Sequence, residues 1–259
     1  MDADGNESAP RGFATSGFLS EFAGEQLFIT AGHLLHDIGV ELPRAQRQIV
    51  RSALLNPWAA NSPSCTPVYV DYACLPQSFE DDDAAGTDLG MIRLPADDWA
   101  VLLERGATPV RELQLHRPQD LEVSQYWICG VPSELTDADT NAWLTNNDAT
   151  IELEPFCFQV QRLIGVAGGF TPTTRPRFYA SIPAEVPLGD LDGVSGAPVF
   201  SLTRNSAGTF DIWLDAVQSR WKRSVRNIAA TPFPESIDIM QRGCLSLSPP
   251  ASSSTAGDC

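Results

Sequence analysis

Thr30-Ala31-Gly32-His33, Thr87-Asp88-Leu89-Gly90-Met91-Ile92-Arg93-Leu94 and Gly193-Val194-Ser195-Gly196-Ala197-Pro198 are the stretches that decide how this chain folds. Each stands at one end of a run that reads as a strand, and each offers one member of a Ser-His-Asp set. A serine hydroxyl holds its proton too tightly to attack unaided, so it needs a neighbouring base. Imidazole titrates near neutrality and can take that proton, while a carboxylate on its other nitrogen fixes the tautomer. His33, Asp88 and Ser195 are the candidates for these three roles.

Outward from these stretches, short apolar runs alternate with Gly, Pro, Asn and Asp clusters, the pattern of an all-β protein. Strands are expected over 18–22, 27–30, 68–73 and 89–94, then over 126–131, 150–164, 177–182, 197–202 and 210–219. Ala23-Gly24-Glu25 reads as the hairpin that delivers His33. A short helix is expected over 97–105, capped by Asp97, with Trp99, Leu102 and Leu103 on one face and Gly106 ending it. Residues 107–122 read as a connector. Asp81-Asp82-Asp83 reads as a solvated loop, and His36 as a surface residue with no third ligand to make a metal site. Residues 1–11 and 246–259 lack periodicity and read as flexible ends.

The three stretches resemble those of the chymotrypsin-like (trypsin-like) serine peptidases, particularly bacterial intracellular members without the family disulfides. That family carries Thr-Ala-x-His, an Asp leading into alternating apolar residues, and Gly-x-Ser-Gly-x-Pro, in the order His, Asp, Ser. The spacing after Ser195 differs from the Gly-x-Ser-x-Gly elbow of α/β-hydrolases. The resemblance implies two packed antiparallel barrels of the six-stranded type with the active site in the cleft between them. It divides the chain into residues 12–110, with His33 and Asp88, and residues 111–245, with Ser195. Residues 1–11 are too polar to supply the family's first strand, so the first barrel is expected to be incomplete or closed differently.

The same resemblance implies that Gly193 and Ser195 point backbone N–H groups at the developing oxyanion. It places Gly189 at the base of the primary pocket, where trypsins have an aspartate, and Ser219 and Trp221 on the strand that pairs with substrate. Trp221 serves equally well as simple packing. Family members activated by proteolysis carry an aspartate just before the nucleophile, to pair with a new N-terminal amine; this chain has Val194. The site must therefore be preorganised at synthesis, controlled by a regulatory protein partner, or inactive.

The 17 basic and 33 acidic residues leave a formal charge of −16. That excess argues against nucleic acid and anionic membranes as partners. No run of 18 apolar residues exists, and the first ten residues lack the basic and apolar regions of a secretory signal. The expected location is the cytoplasm. Extracellular relatives of the implied family place cysteines where this chain has Leu34 and Leu191, so the six cysteines (Cys65, Cys74, Cys129, Cys157, Cys244 and Cys259) are expected to be isolated thiols. Cys65 and Cys74 are the one pair close enough to bridge a short loop. No metal or organic cofactor is implied. The expected function is a serine endopeptidase acting on protein or peptide substrates through an acyl-enzyme. A catalytically silent protease-fold binding module and a serine esterase are the alternatives.

Overall fold

The structure, a computed structural model, describes residues 14–247 except 48, 50, 57, 59–63, 66, 73, 119, 138–150 and 234. The expected flexible ends lie outside these residues, apart from 246 and 247, which belong to a helix. In chain order the strands are β1 (Phe18–Phe22), β2 (Glu25–Thr30), β3 (Ala53–Leu54), β4 (Ser64–Cys65), β5 (Val68–Tyr69), β6 (Gln77–Asp82), β7 (Thr87–Arg93) and β8 (Val110–Arg111). They continue as β9 (Val123–Gly130), β10 (Thr136–Asp137), β11 (Ile151–Leu153), β12 (Phe156–Leu163), β13 (Phe178–Ser181), β14 (Pro198–Arg204), β15 (Phe210–Lys222) and β16 (Asn227–Pro232). Helix α1 (Gly32–His36) runs through a π-helical turn at Asp37–Glu41 into α2 (Leu42–Arg44), and α3 (Ala96–Glu104) and α4 (Glu235–Leu247) follow.

Two β layers result, as expected for an all-β chain. The first is a five-stranded sheet in the order β6-β7-β2-β1-β8, open among the described residues; the second is a closed barrel in the order β12-β13-β16-β15-β14-β9. The β1–β2 hairpin turns on Ala23 and Gly24, both left-handed with φ of 51° and 79°, the geometry that matches strand twist. Alternation along the barrel strands buries Ile128, Phe158, Val160, Phe178, Val199 and Ile228 in one core. The first sheet packs Leu27, Ile29, Leu89 and Met91 against Leu214 and Val217 of β15 and against Ile237, Met240 and Leu247 of α4. The C-terminal helix thus crosses back from the barrel to the first sheet.

Several expectations are corrected. Cys129 and Cys157 form a disulfide, so the cysteines are not all isolated thiols. They are direct neighbours across β9 and β12, with Cα atoms 4.3 Å apart, at the short limit of what a disulfide spans. Cys74 is a free thiol, so it is not bridged to Cys65. Asp81 and Asp82 belong to β6 rather than to a solvated loop, because arginines of the barrel side meet the acidic run. Asp97 does not cap α3: the helix starts at Ala96 behind Pro95, with no side-chain cap, and Asp97 lies in its first turn. The connector holds β8, paired in parallel with β1, and the strand expected over 68–73 is only Val68–Tyr69. Helix α4 was not anticipated. Among the described residues no helix is long and apolar enough to cross a membrane.

The disulfide closes a 28-residue separation within one barrel wall. Reduction, or Cys129→Ser with Cys157→Ser, should lower unfolding stability by about 3.6 kcal/mol, the chain-entropy value for a loop of this size. Urea titration with and without dithiothreitol reads it. An unchanged midpoint after verified reduction would show that the bridge does not stabilise the barrel.

Candidate active site

His33 opens α1 immediately after β2, and the tight approach of that turn explains its composition. A Cβ on Gly32 would stand 2.1 Å from the Glu80 carbonyl oxygen and 2.9 Å from the Leu89 nitrogen, so only glycine lets the helix start against β6 and β7. The backbone N–H of His33 is one of the amides that a helix start leaves unpaired, and it donates to Asp88 Oδ1 at 2.9 Å. The ring Nδ1 lies 2.8 Å from Asp88 Oδ2. Asp88 is wholly buried and its one carboxylate holds His33 by two bonds, one to the backbone and one to the ring. This geometry selects the tautomer with the proton on Nδ1 and leaves Nε2 as the basic nitrogen.

Asp88 is itself held from the barrel side. Thr231 of β16 accepts from the Asp88 N–H and donates to the Asp88 carbonyl oxygen, both at 3.0 Å through one hydroxyl. Arg220 Nη1 stands 3.5 Å from Asp88 Oδ2. The same guanidinium bonds Asp81 at 2.9 Å and Asp83 at 3.1 Å, and Arg177 also binds Asp83 at 3.1 Å. Burial would lower the Arg220 pKa, but these three carboxylates outweigh it and hold the group firmly charged. Burial alone would raise the Asp83 carboxyl; the bonds from Arg177 and Arg220 outweigh it and keep the carboxyl below its ordinary range. Its stabilising contribution is therefore present above the usual aspartate pKa and is lost as pH falls through the lowered value. Most of that side chain faces water, which keeps the contribution small.

Ser195 lies half-buried on the loop before β14, with its neighbours anchored on every side. Val194 is wholly buried in the barrel core with Leu188 and Leu191, so apolar packing occupies the place of a charge. Gly193 and Gly196 have φ of 87° and 91°, a region other residues avoid. A Cβ on Gly196 would stand 2.3 Å from both the Ser16 carbonyl oxygen and Thr30 Oγ1. The Ser195 loop is therefore pressed against the segment that leads to His33. The Asp192, Gly193, Val194 and Ser195 carbonyls each accept a hydrogen bond, whereas the N–H groups of Gly193 and Ser195 have no acceptor among the described residues. Ser195 Oγ makes no hydrogen bond to His33 in this structure; such bonds commonly tighten only with substrate bound.

The other expected residues fall as follows. Gly189 is exposed, and its N–H and that of Asp190 donate to the Glu134 carboxylate at 2.9 and 3.1 Å. Ser219 is buried with its hydroxyl donated to the Ala229 carbonyl. Trp221 packs against the barrel core. His36 lies 3.4 Å from Asp81 and tilts against Phe79. Thr15, Ser16, Glu134 and Thr231 escaped sequence reading because a hydroxyl or carboxylate acting across more than fifty residues leaves no local pattern. Arg220 was visible only as a member of the strand segment around Trp221.

No family model and no curated protein sequence matches the chain. Among solved structures it is similar to an inactive serine-to-alanine mutant of Rv3671c from M. tuberculosis, at 11% identity over 91% of this chain and 83% of that one, with a TM-score of 0.38. It is also similar to a Glu endopeptidase (9% identity, 86% and 87% covered, TM-score 0.41) and to the protease of tobacco etch virus (15%, 93% and 89%, 0.38). These are proteases of the chymotrypsin fold, serine and cysteine types together. Likenesses this distant carry nothing about the site, which stands on the distances above.

Gly196→Ala should destabilise the fold by about 3 kcal/mol, since a left-handed φ and a backbone clash combine. Denaturant unfolding reads this directly. A change under about 0.5 kcal/mol, the level of an ordinary surface substitution, would mean that the loop is not pressed against Thr30.

Proposed function

We propose that the chain is a serine endopeptidase that cleaves peptide bonds through an acyl-enzyme. The observation that supports this reading most is the pairing of His33 with a wholly buried carboxylate beside a loop that offers Ser195 and two N–H groups with no acceptor among the described residues. Ser195 Oγ attacks the scissile carbonyl while His33 Nε2 takes its proton. The imidazolium that forms is stabilised by Asp88, which keeps its charge. The Gly193 and Ser195 N–H groups receive the oxyanion. Collapse of the tetrahedral species expels the amine with the proton from His33, and water then releases the acid by the same route.

Substrate backbone has a natural place beside β15. Pairing of β15 with β14 ends at Val217, and Gln218 bonds to Gly196 and Ala197 on that side, so among the described residues no strand pairs the edge from Ser219 to Trp221 there and it can take an added strand. In this reading His33 and its carboxylate partner Asp88 come from the side of the first sheet and Ser195 from the loop that leads into β14 of the barrel.

Incubation with a fluorophosphonate should label Ser195 alone, as mapped by peptide mass spectrometry, and Ser195→Ala should abolish both labelling and casein hydrolysis. Asp88→Asn should lower kcat by about 10³- to 10⁴-fold through the wrong imidazole tautomer. Folded wild-type protein that takes no label and hydrolyses neither casein nor short acyl esters would overturn the enzyme reading in favour of a silent protease-fold module. Ester turnover without peptide cleavage would favour an esterase.

A further inference from the structure

The peptides around Ser195 are held in a regular alternation. The Asp192 carbonyl accepts from the Ser133 N–H at 2.6 Å and the Val194 carbonyl from the Ala197 N–H at 2.9 Å, both contacts within the barrel. The two carbonyls that alternate with them are held by the segment before β1. Gly193 O accepts from Ser16 Oγ at 2.6 Å, and Ser195 O accepts from Thr15 Oγ1 at 3.0 Å. The N–H groups of these same two peptides are also engaged, Val194 N with Leu191 O at 3.0 Å and Gly196 N with Gln218 O at 2.8 Å. Both are therefore pinned at each end.

Ser16 is nearly wholly buried and fully used. Its hydroxyl donates to Gly193 and accepts from the Val131 N–H at 3.0 Å, and its carbonyl accepts from Thr30 Oγ1 at 2.8 Å. Thr30 lies three residues before His33. One serine thus ties the histidine side of the site to the nucleophile loop, with no charge involved, because Val194 is apolar.

We propose that Ser16, assisted by Thr15, is a positioning residue that presets the Gly193 and Ser195 N–H groups for the oxyanion, so that competence arises on folding without cleavage of the chain. The proposal rests on the peptidase reading above. The Gly193 N–H belongs to the Asp192–Gly193 peptide, whose carbonyl the Ser133 N–H holds, and the next peptide, which fixes the other side of the Gly193 Cα, is held at its carbonyl by the Ser16 hydroxyl, the one donor to it among the described residues.

The test uses the full chain and compares wild type with Ser16→Ala, Thr15→Val and Thr15→Ser on a peptide substrate. Activity is expressed per mole of folded protein as read by near-ultraviolet circular dichroism. Ser16→Ala should lose about 10- to 100-fold in kcat with KM changed by less than about twofold, the signature of a weakened oxyanion site. The inhibition constant of a peptidyl boronate, which mimics the tetrahedral species, should rise by the same factor as kcat falls. Thr15→Val should show a smaller loss of the same kind, and Thr15→Ser, which keeps the donor, should match wild type. Should Ser16→Ala fail to fold, the half-buried Thr15 pair carries the comparison alone. An active wild type whose folded variants all turn over within twofold of it, or whose losses lie in KM with the boronate constant unmoved, overturns the staple alone. A wild type that neither cleaves nor labels overturns the peptidase reading and the staple with it.

Discussion

The carboxylate of Asp88 is the constraint on which the site depends. A buried anion is tolerated only where it is paired and bonded, and this one receives the His33 N–H, the His33 ring and the approach of Arg220. Its backbone is hooked to Thr231 of the barrel. The same residue that orients the His33 imidazole is therefore a joint between the two β layers. Loosening it would misplace the imidazole and uncouple the halves at once.

Around that joint the arginines of an acidic chain tie elements together both across and within the two layers. Arg220 and Arg177 gather the carboxylates at the tip of the β6–β7 hairpin, and Arg117 grips the buried Asp215 of β15 at 3.0 Å, where Ser201 also donates. Arg93 of the first sheet pairs with Glu25 and caps the last turn of α4 through the Leu247 carbonyl at 2.7 Å. Fork-shaped guanidiniums suit such multiple contacts, consistent with a chain that has one lysine, Lys222. Apolar packing completes the assembly, with Leu214 and Val217 of the barrel sharing a core with Leu27 and Met91.

What could be read from sequence was what the local chain dictates. Thr30 to His33, Asp88 with its apolar run and the Gly-Val-Ser-Gly loop carry glycines and alternation whose backbone demands are visible in any six residues, and they mark strand ends correctly. What escaped depends on register and on distant partners. Cys129 and Cys157 become neighbours only once β9 and β12 pair, so the leucines at 34 and 191, where the implied family has cysteines, pointed the wrong way. The strand under Asp81 and Asp82 was hidden by charges whose arginines lie 94 to 139 residues away. Helix α4 does place Ile237, Met240, Cys244 and Leu247 on one face, but Gly243 and its serines dilute the pattern. Ser16, 177 residues from Gly193, had no signature at all.

The central claim is that Ser195 reacts within a preformed oxyanion site set by Gly193 and Ser195. A crystal structure of the protein after reaction with a peptidyl phosphonate tests it most directly. The account predicts a bond from Ser195 Oγ to phosphorus, with a phosphonyl oxygen about 3 Å from both N–H nitrogens and the loop unchanged from the free protein. An adduct on another residue, or a phosphonyl oxygen turned to solvent while both N–H groups face elsewhere, would contradict it.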